Sequence, residues 1–199
     1  MSHLLLGTAN RGKVIEIREA LAGLPMTIVT PSDLKIEEVP HETGSTFAEN
    51  AIQKAQFYFE RSKIPTIADD SGIIVDALKD ELGIHTRRWG AGSDAGDEEW
   101  IEYFLDRMKH EENKRASFVC SIAYVTGDSR VHVFEGRCEG TITEKLEADY
   151  LPGLPISGCF VPDGENHVFS AMNLEQKKRT SHRGKAIQKL VRFFTRSAA

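Results

Sequence analysis

The runs Ala116–Thr126 (ASFVCSIAYVT) and Arg130–Thr143 (RVHVFEGRCEGTIT) decide the fold. Both are rich in β-branched and aromatic residues, and the intervening Gly127-Asp128 is a hairpin signal, so they predict two long antiparallel strands. Toward the N-terminus the pattern changes. The short apolar run His3–Gly7 predicts a buried strand, and Thr8–Gly12 is a polar turn. A helix is expected over Lys13–Leu24, with Val14, Ile17 and Leu21 on one side, and Met26–Val29 follows Pro25 as a strand.

Thr46 with Glu49 has capping-box spacing and opens an expected helix, Phe47–Arg61. Ile64–Ala68 and Ile73–Leu78 read as strands, and the turn-forming Asp69-Asp70-Ser71-Gly72 between them predicts a hairpin. Further helices are expected over Asp97–Lys109 and Ser181–Arg196, and Phe160–Pro162 reads as a strand. Helices and strands alternate early and a β-rich segment comes late. The fold class is therefore α/β with a mixed β-sheet. A chain of 199 residues suits one domain, residues 1–199, with two lobes around a cleft.

With 40% hydrophobic residues the chain can bury a core, and its net charge of -5 argues against a non-specific grip on nucleic acid. Cys120, Cys138 and Cys159 are odd in number and lack C-x-x-C spacing. They read as buried thiols in a reducing compartment rather than a disulfide framework. There is no basic leader and no apolar run of membrane-spanning length, so a cytoplasmic protein without a membrane partner is expected.

Four segments hold chemistry. Gly7-Thr8-Ala9-Asn10-Arg11-Gly12-Lys13 lies between a strand and a helix, where free N–H groups and the Lys13 charge attract phosphate. It nearly matches G-x-x-x-x-G-K-[ST], but Val14 replaces the metal-binding hydroxyl, and a plain strand-to-helix turn fits it equally. Asp69-Asp70 places two carboxylates together, an arrangement eased by a cation such as Mg²⁺, although a turn also accounts for these residue types. Asn50 and Lys54, four apart, share a helix face, with Glu42 just before that helix as a third carboxylate. A solvated face behind the cap is the alternative. Ser181 is a natural N-cap that puts His182 and Arg183 in a first turn, where an anion would offset their charge. Lys177 joins the same basic stretch, which otherwise reads as a surface loop. Together these are the parts of magnesium-assisted phosphoryl chemistry.

Thr8–Lys13, Glu42-Thr43-Gly44, Thr46-Phe47, Glu49-Asn50-Ala51, Lys54-Ala55, Ala68–Gly72, and Lys177 with Ser181-His182-Arg183 occur in an order and spacing that resemble the inosine triphosphate pyrophosphatase family of Ham1/RdgB type. The resemblance covers nearly the whole chain. It implies an elongated, two-lobed α/β subunit with a central substrate cleft, assembled as a homodimer. The implied reaction is Mg²⁺-dependent hydrolysis of non-canonical purine nucleoside triphosphates (ITP, dITP, XTP) to monophosphate and pyrophosphate. By the same resemblance Thr8, Ala9, Asn10, Arg11, Gly12 and Lys13 would wrap the triphosphate, with Lys54 as a second cation. Glu42 and Asp70, with Asp69 beside them, would hold the metal, and Asp70 would accept the proton of the attacking water. Ser71 would contact substrate, and Lys177, His182 and Arg183 would meet the base.

One segment departs from the family. Where an aromatic-Gly-aromatic-Asp sequence is usual, Pro152–Pro162 reads PGLPISGCFVP, with neither the aromatic platform nor the acid. The base preference is therefore open, and a pyrophosphatase for another modified or pyrimidine nucleotide is an alternative. A P-loop NTPase and a non-catalytic nucleotide-binding protein are the others.

Overall fold

The computed structural model describes residues 2–78, 81–92 and 94–197. Its elements are β1 (Ser2–Leu6), α1 (Arg11–Ala20), β2 (Met26–Val29), α2 (Phe47–Ser62), β3 (Thr66–Val75), α3 (Asp97–Lys109), β4 (Arg115–Val125), β5 (Val131–Ile142), β6 (Phe160–Pro162), α4 (Leu174–Thr180) and α5 (His182–Ser197). The strands form one six-stranded sheet in the order β2-β1-β3-β4-β5-β6. β1 is parallel to β2 and β3, and every later pair is antiparallel, so the expected mixed sheet is present.

The expected hairpin at Asp69–Gly72 is absent. Thr66–Val75 is a single strand, paired residue by residue with Val125–Ala116 of β4. Turn propensity loses here because the long β4 supplies a partner at every position and the two carboxylates find cations on the faces of the sheet. Helix α1 starts two residues before the expected Lys13, because the Asn10 side chain caps the Lys13 N–H. It ends at Ala20 rather than Leu24, with Gly23 in a left-handed conformation (φ 96) three residues on. The short α4 was not expected from sequence; a capping box between Asn173 and Gln176 starts it.

Each face of the sheet is covered by a different helix set. Leu4, Leu6, Ile67 and Ile122 pack under α1 and α5 through Ile17, Leu21, Ile187 and Leu190. On the other face Ala51 and Ala55 of α2 meet Ala68 and Ala123, all fully buried. These small side chains let the helix lie close to β3. A third cluster, beyond the end of β1, gathers Ile73, Val75, Trp100, Phe104, Phe160 and Phe169. All three cysteines are free and buried. Burial pushes the Cys120 and Cys159 thiols up to about 12 and Cys138 up to about 11, which leaves them protonated and unreactive at neutral pH. Among the described residues no helix is long and apolar enough to cross a membrane.

Candidate active site

β1 stops at Leu6, whereas β3 continues for eight residues past Ile67, the last residue paired with β1. A cleft of about 720 Å³ lies over this region. One end is polar, lined by Gly7–Asn10, Lys13, Glu42, Lys54, Asp70 and Ser71. The other is mostly apolar, lined by Trp100, Phe118, Leu154–Ser157, Phe169 and His182.

Because Asp69 and Asp70 are consecutive in one strand, their side chains point to opposite faces. Asp70 faces α2. Its Oδ1 accepts from Lys54 Nζ at 3.0 Å and its Oδ2 from Asn50 Nδ2 at 3.2 Å. The same Lys54 ammonium donates to Glu42 Oε1 at 2.8 Å, so carboxylates from a loop and a strand converge on one positive centre. Burial alone would lower the Lys54 pKa, but Asp70, Asp69 and Glu42 more than offset it and the value ends raised. The helix-face expectation for Asn50 and Lys54 therefore holds, and its target is Asp70. The capping expectation holds in part. Thr46 caps the Glu49 N–H, while the Glu49 carboxylate reaches back to Ser45.

Asp69 faces α1 and α5. It is essentially inaccessible, pairs with Lys13 Nζ at 3.0 Å and lies 3.5 Å from Arg183 Nε. Burial opposes its charge, but Lys13, Arg183 and Lys54 prevail and hold it well below the usual carboxylate range. Arg183 also donates to Glu16 and, at 3.0 Å, to Ser71 Oγ. The anion expected to relieve the charge at the start of α5 is thus supplied by the protein itself. Burial opposes the Arg183 charge as well, but Glu16 and Asp69 raise its pKa above the ordinary arginine value.

Ser181 does cap α5, accepting from the Gly184 N–H at 2.9 Å. His182 is buried and stacks on Phe118 (centroids 4.7 Å apart, 14° between planes), with Phe169 5.8 Å away. Burial, reinforced by the Arg183 charge, holds its pKa well below the usual imidazole value. The ring is therefore neutral, and its Nδ1 is buried without a hydrogen-bond partner. Lys177 lines the rim.

The first-turn donors of α1 are partly occupied. The Lys13 N–H goes to Asn10 Oδ1 at 3.1 Å, and the Gly12 N–H to the Pro152 carbonyl at 3.1 Å. Gly12 must be glycine for this approach, since a Cβ would lie 2.7 Å from that carbonyl and 2.9 Å from Leu154. Of the residues expected to wrap a triphosphate, Thr8, Ala9, Asn10 and Lys13 line the cleft, Gly12 is buried under the loop, and Arg11 is exposed outside the lining.

Sequence reasoning missed Glu16 and the Phe118–Phe169–His182 stack. Glu16 follows Lys13 by three residues, a same-face spacing that could have flagged it. Phe118 and Phe169 stand 51 positions apart in the chain, and no local pattern joins them.

The two carboxylates facing Lys54 have the oxygen-donor chemistry that a hard divalent cation takes. Among the described residues no three Asp, Glu, His or Cys side chains form a preformed metal cluster. Asp69 is turned to the opposite face, toward Lys13 and Arg183.

The Ham1 family model matches residues 4–193. A Leptospira interrogans protein named dITP/XTP pyrophosphatase is 44% identical over 190 residues, covering 96% of this chain and 95% of its own. One of the same name from Thermus thermophilus is 37% identical, covering 94% and 89%. The solved structure of the Staphylococcus aureus Ham1 protein superposes with a TM-score of 0.82 at 31% identity, covering 98% of this chain and 100% of that one.

Proposed function

The chain belongs to the Ham1 family, and from that premise we propose that it is a nucleoside-triphosphate pyrophosphatase. It hydrolyses non-canonical purine nucleoside triphosphates of the dITP and XTP kind to the monophosphate and pyrophosphate, and so removes them from the nucleotide pool. The observation that carries this reading is the Lys54 ammonium held between Glu42 and Asp70 beside the start of α1. One end of a single cleft thus joins cations, carboxylates and a helix N-terminus.

Magnesium, held by Glu42 and Asp70, would supply charge neutralisation to the triphosphate oxygens. Asp70 takes the proton of the attacking water at Oδ2, the oxygen that accepts from the neutral Asn50 amide rather than from the Lys54 ammonium. The water oxygen bonds to the α-phosphorus as the bond from that phosphorus to the bridging oxygen breaks, and the electron pair leaves on pyrophosphate. Lys13 and Lys54 stabilise that leaving charge. Thr8, Ala9 and Asn10 line the triphosphate path. Asp69 orients Lys13 and Arg183, and Ser71 lies between Arg183 and Asp69. Lys177 and His182 bound the base end, where Arg183 anchors the start of α5. The enzyme is read as one catalytic domain acting as a homodimer in the cytoplasm. Family membership supports the assembly, and the three free, buried thiols suit a reducing compartment.

A P-loop NTPase is the weaker reading, since the strand bearing the acids is antiparallel to its neighbour β4 and Val14 lacks the metal-binding hydroxyl. Separate assays of pyrophosphate and orthophosphate from dITP, XTP, dATP, dGTP and dUTP with Mg²⁺ test the proposal. Pyrophosphate chiefly from dITP and XTP, lost on chelation, is expected. Orthophosphate as the first product would favour the P-loop reading, and binding without hydrolysis the non-catalytic one.

A further inference from the structure

A single carboxylate outside the cleft ties its two ends together. The Gly153 N–H donates to Asp97 Oδ2 at 2.5 Å, and the Gly153 carbonyl accepts from Asn10 Nδ2 at 3.1 Å. The adjacent Pro152 carbonyl accepts from the Gly12 N–H at 3.1 Å. Gly153 is thus gripped by α3 on its amide side and by the phosphate loop on its carbonyl side. It has φ 79, and a Cβ there would lie 2.4 Å from Asn10 Nδ2, so both conformation and space call for glycine. Asp97 is the first residue of α3, where a carboxylate is favoured by the helix dipole and is held by the helix itself. A hydrogen bond to a carboxylate is stronger than one between neutral groups.

From this anchor the chain runs directly into the apolar end of the cleft. Leu154, Pro155, Ile156 and Ser157 line it, the last three within a 3₁₀ turn, Pro155–Gly158. The Ser157 hydroxyl is engaged with the Leu154 carbonyl at 2.6 Å, so the side chains this segment offers a base are chiefly apolar. Apolar groups read a base edge poorly. They discriminate by where they stand, which makes the position of the segment its main selective property. Asp97 does not line the cleft.

We propose that Asp97 is a specificity-positioning residue: by holding the Gly153 amide it fixes the Leu154–Ser157 segment against the phosphate loop and so sets base discrimination from outside the cleft. The proposal rests on the pyrophosphatase reading for its kinetic arm only. Asp70 and Lys54 are held by Asn50 and Glu42 rather than by this anchor, so its loss falls on nucleotide recognition and not on the chemical step.

Asp97→Ala and Asp97→Asn in the full chain test this, by pyrophosphate release from dITP and dATP and by hydrogen exchange of the 152–158 segment without ligand. For Asp97→Ala we expect KM for dITP to rise about tenfold and the dITP/dATP ratio of kcat/KM to fall about tenfold, with kcat within about threefold, the scale of one lost charge-assisted hydrogen bond. Segment exchange should accelerate by about the same factor. Asp97→Asn retains an acceptor oxygen and should stay within about threefold of wild type. An equal loss for both nucleotides, a loss confined to kcat, or an Asn variant as impaired as Ala would overturn the proposal. Should the wild type release no pyrophosphate, the functional reading fails by itself. Exchange then decides the anchor: faster in Asp97→Ala supports it, unchanged refutes it.

Discussion

At the polar end of the cleft, ionic contacts of 2.8–3.0 Å link Lys13, Lys54, Glu42, Asp69 and Asp70. At the base end, the stacked Phe118, Phe169 and His182 face an apolar loop, Leu154–Ile156. The polar end holds its groups by charge, so each cation there already has a protein anion that a phosphate must compete with. The base end holds its groups by packing, and the His182 Nδ1 and Trp100 Nε1 atoms there are buried without a hydrogen-bond partner. Charge placement of the first kind serves reaction, since preorganised charges act on the transition state, whereas packing of the second kind serves selection among substrates. Substitutions at the two ends should therefore fail differently.

The largest effect is expected at the polar end. Asp70→Asn preserves the shape and the Lys54–Glu42 pair but removes the proton acceptor. Pyrophosphate release should fall by about 10²–10⁴-fold, the range for a lost general base, with little change in melting temperature. Turnover near the wild-type rate would take Asp70 out of the mechanism and leave the polar end a binding site only.

Arg183 joins the ends, since it leads α5 beside His182 and contacts Asp69, Glu16 and Ser71. Its side chain is 4% exposed, and Asp69 is wholly buried. Arg183→Met should leave Asp69 paired with Lys13 and supported only more distantly by Lys54, and lower unfolding stability by about 3 kcal/mol, the scale for breaking a buried ion pair. Urea denaturation measures it. A loss below about 1 kcal/mol would mean that Arg183 behaves like a surface ion pair and that the two ends are energetically separate.

How legible each end was in sequence follows from the same contrast. Lys13, Asp69, Asp70, Asn50 and Lys54 sit in short segments with local signals: a capped turn, paired acids, an i,i+4 face. What sequence could not give is that Asp69 and Asp70 face opposite sides, because turn-forming residue types concealed a continuous strand that only pairing with β4 creates. The mixed sheet was legible from the early alternation of strands and helices together with the long Ala116–Thr143 hairpin. The aromatic wall was not, since Phe118 lies on β4 and Phe169 beyond β6, and only the assembled fold brings them to His182.

His182 supplies a pH signature of the base end. Burial, with Arg183 alongside, lowers its pKa well below the usual imidazole value, so the fold resists a proton that the unfolded chain accepts near pH 6.5. Its contribution to stability is complete above about pH 6.5 and is lost as the pH falls from there toward the lowered folded value, by at most ~1.4 kcal/mol per pH unit. His182→Phe keeps an aromatic ring on Phe118 and removes the titration. Melting temperatures between pH 7 and 5 should fall less steeply for this variant than for the wild type. Parallel curves would show that His182 takes up its proton in the fold as readily as in the unfolded chain, so that the base end gains charge as the pH falls.

The smallest effect tests whether position or stacking governs the base end. Leu154 stands where the loop enters the cleft, close against Gly12. Leu154→Phe adds a ring face opposite the existing aromatic wall. A base stacked on it would gain ~1 kcal/mol, but the larger side chain must first make room beside Gly12, so KM should fall only about threefold. Stacking is blind to the base edge, so the gain should be equal for dITP and dATP and their ratio unchanged. Asp97→Ala is expected to do the reverse, moving the ratio through the loop's position. If Leu154→Phe shifts the ratio instead, side-chain identity rather than loop placement sets selectivity, and the base end must then contain a polar contact that reads the purine edge, for which His182 Nδ1 and Trp100 Nε1 are the unpartnered candidates.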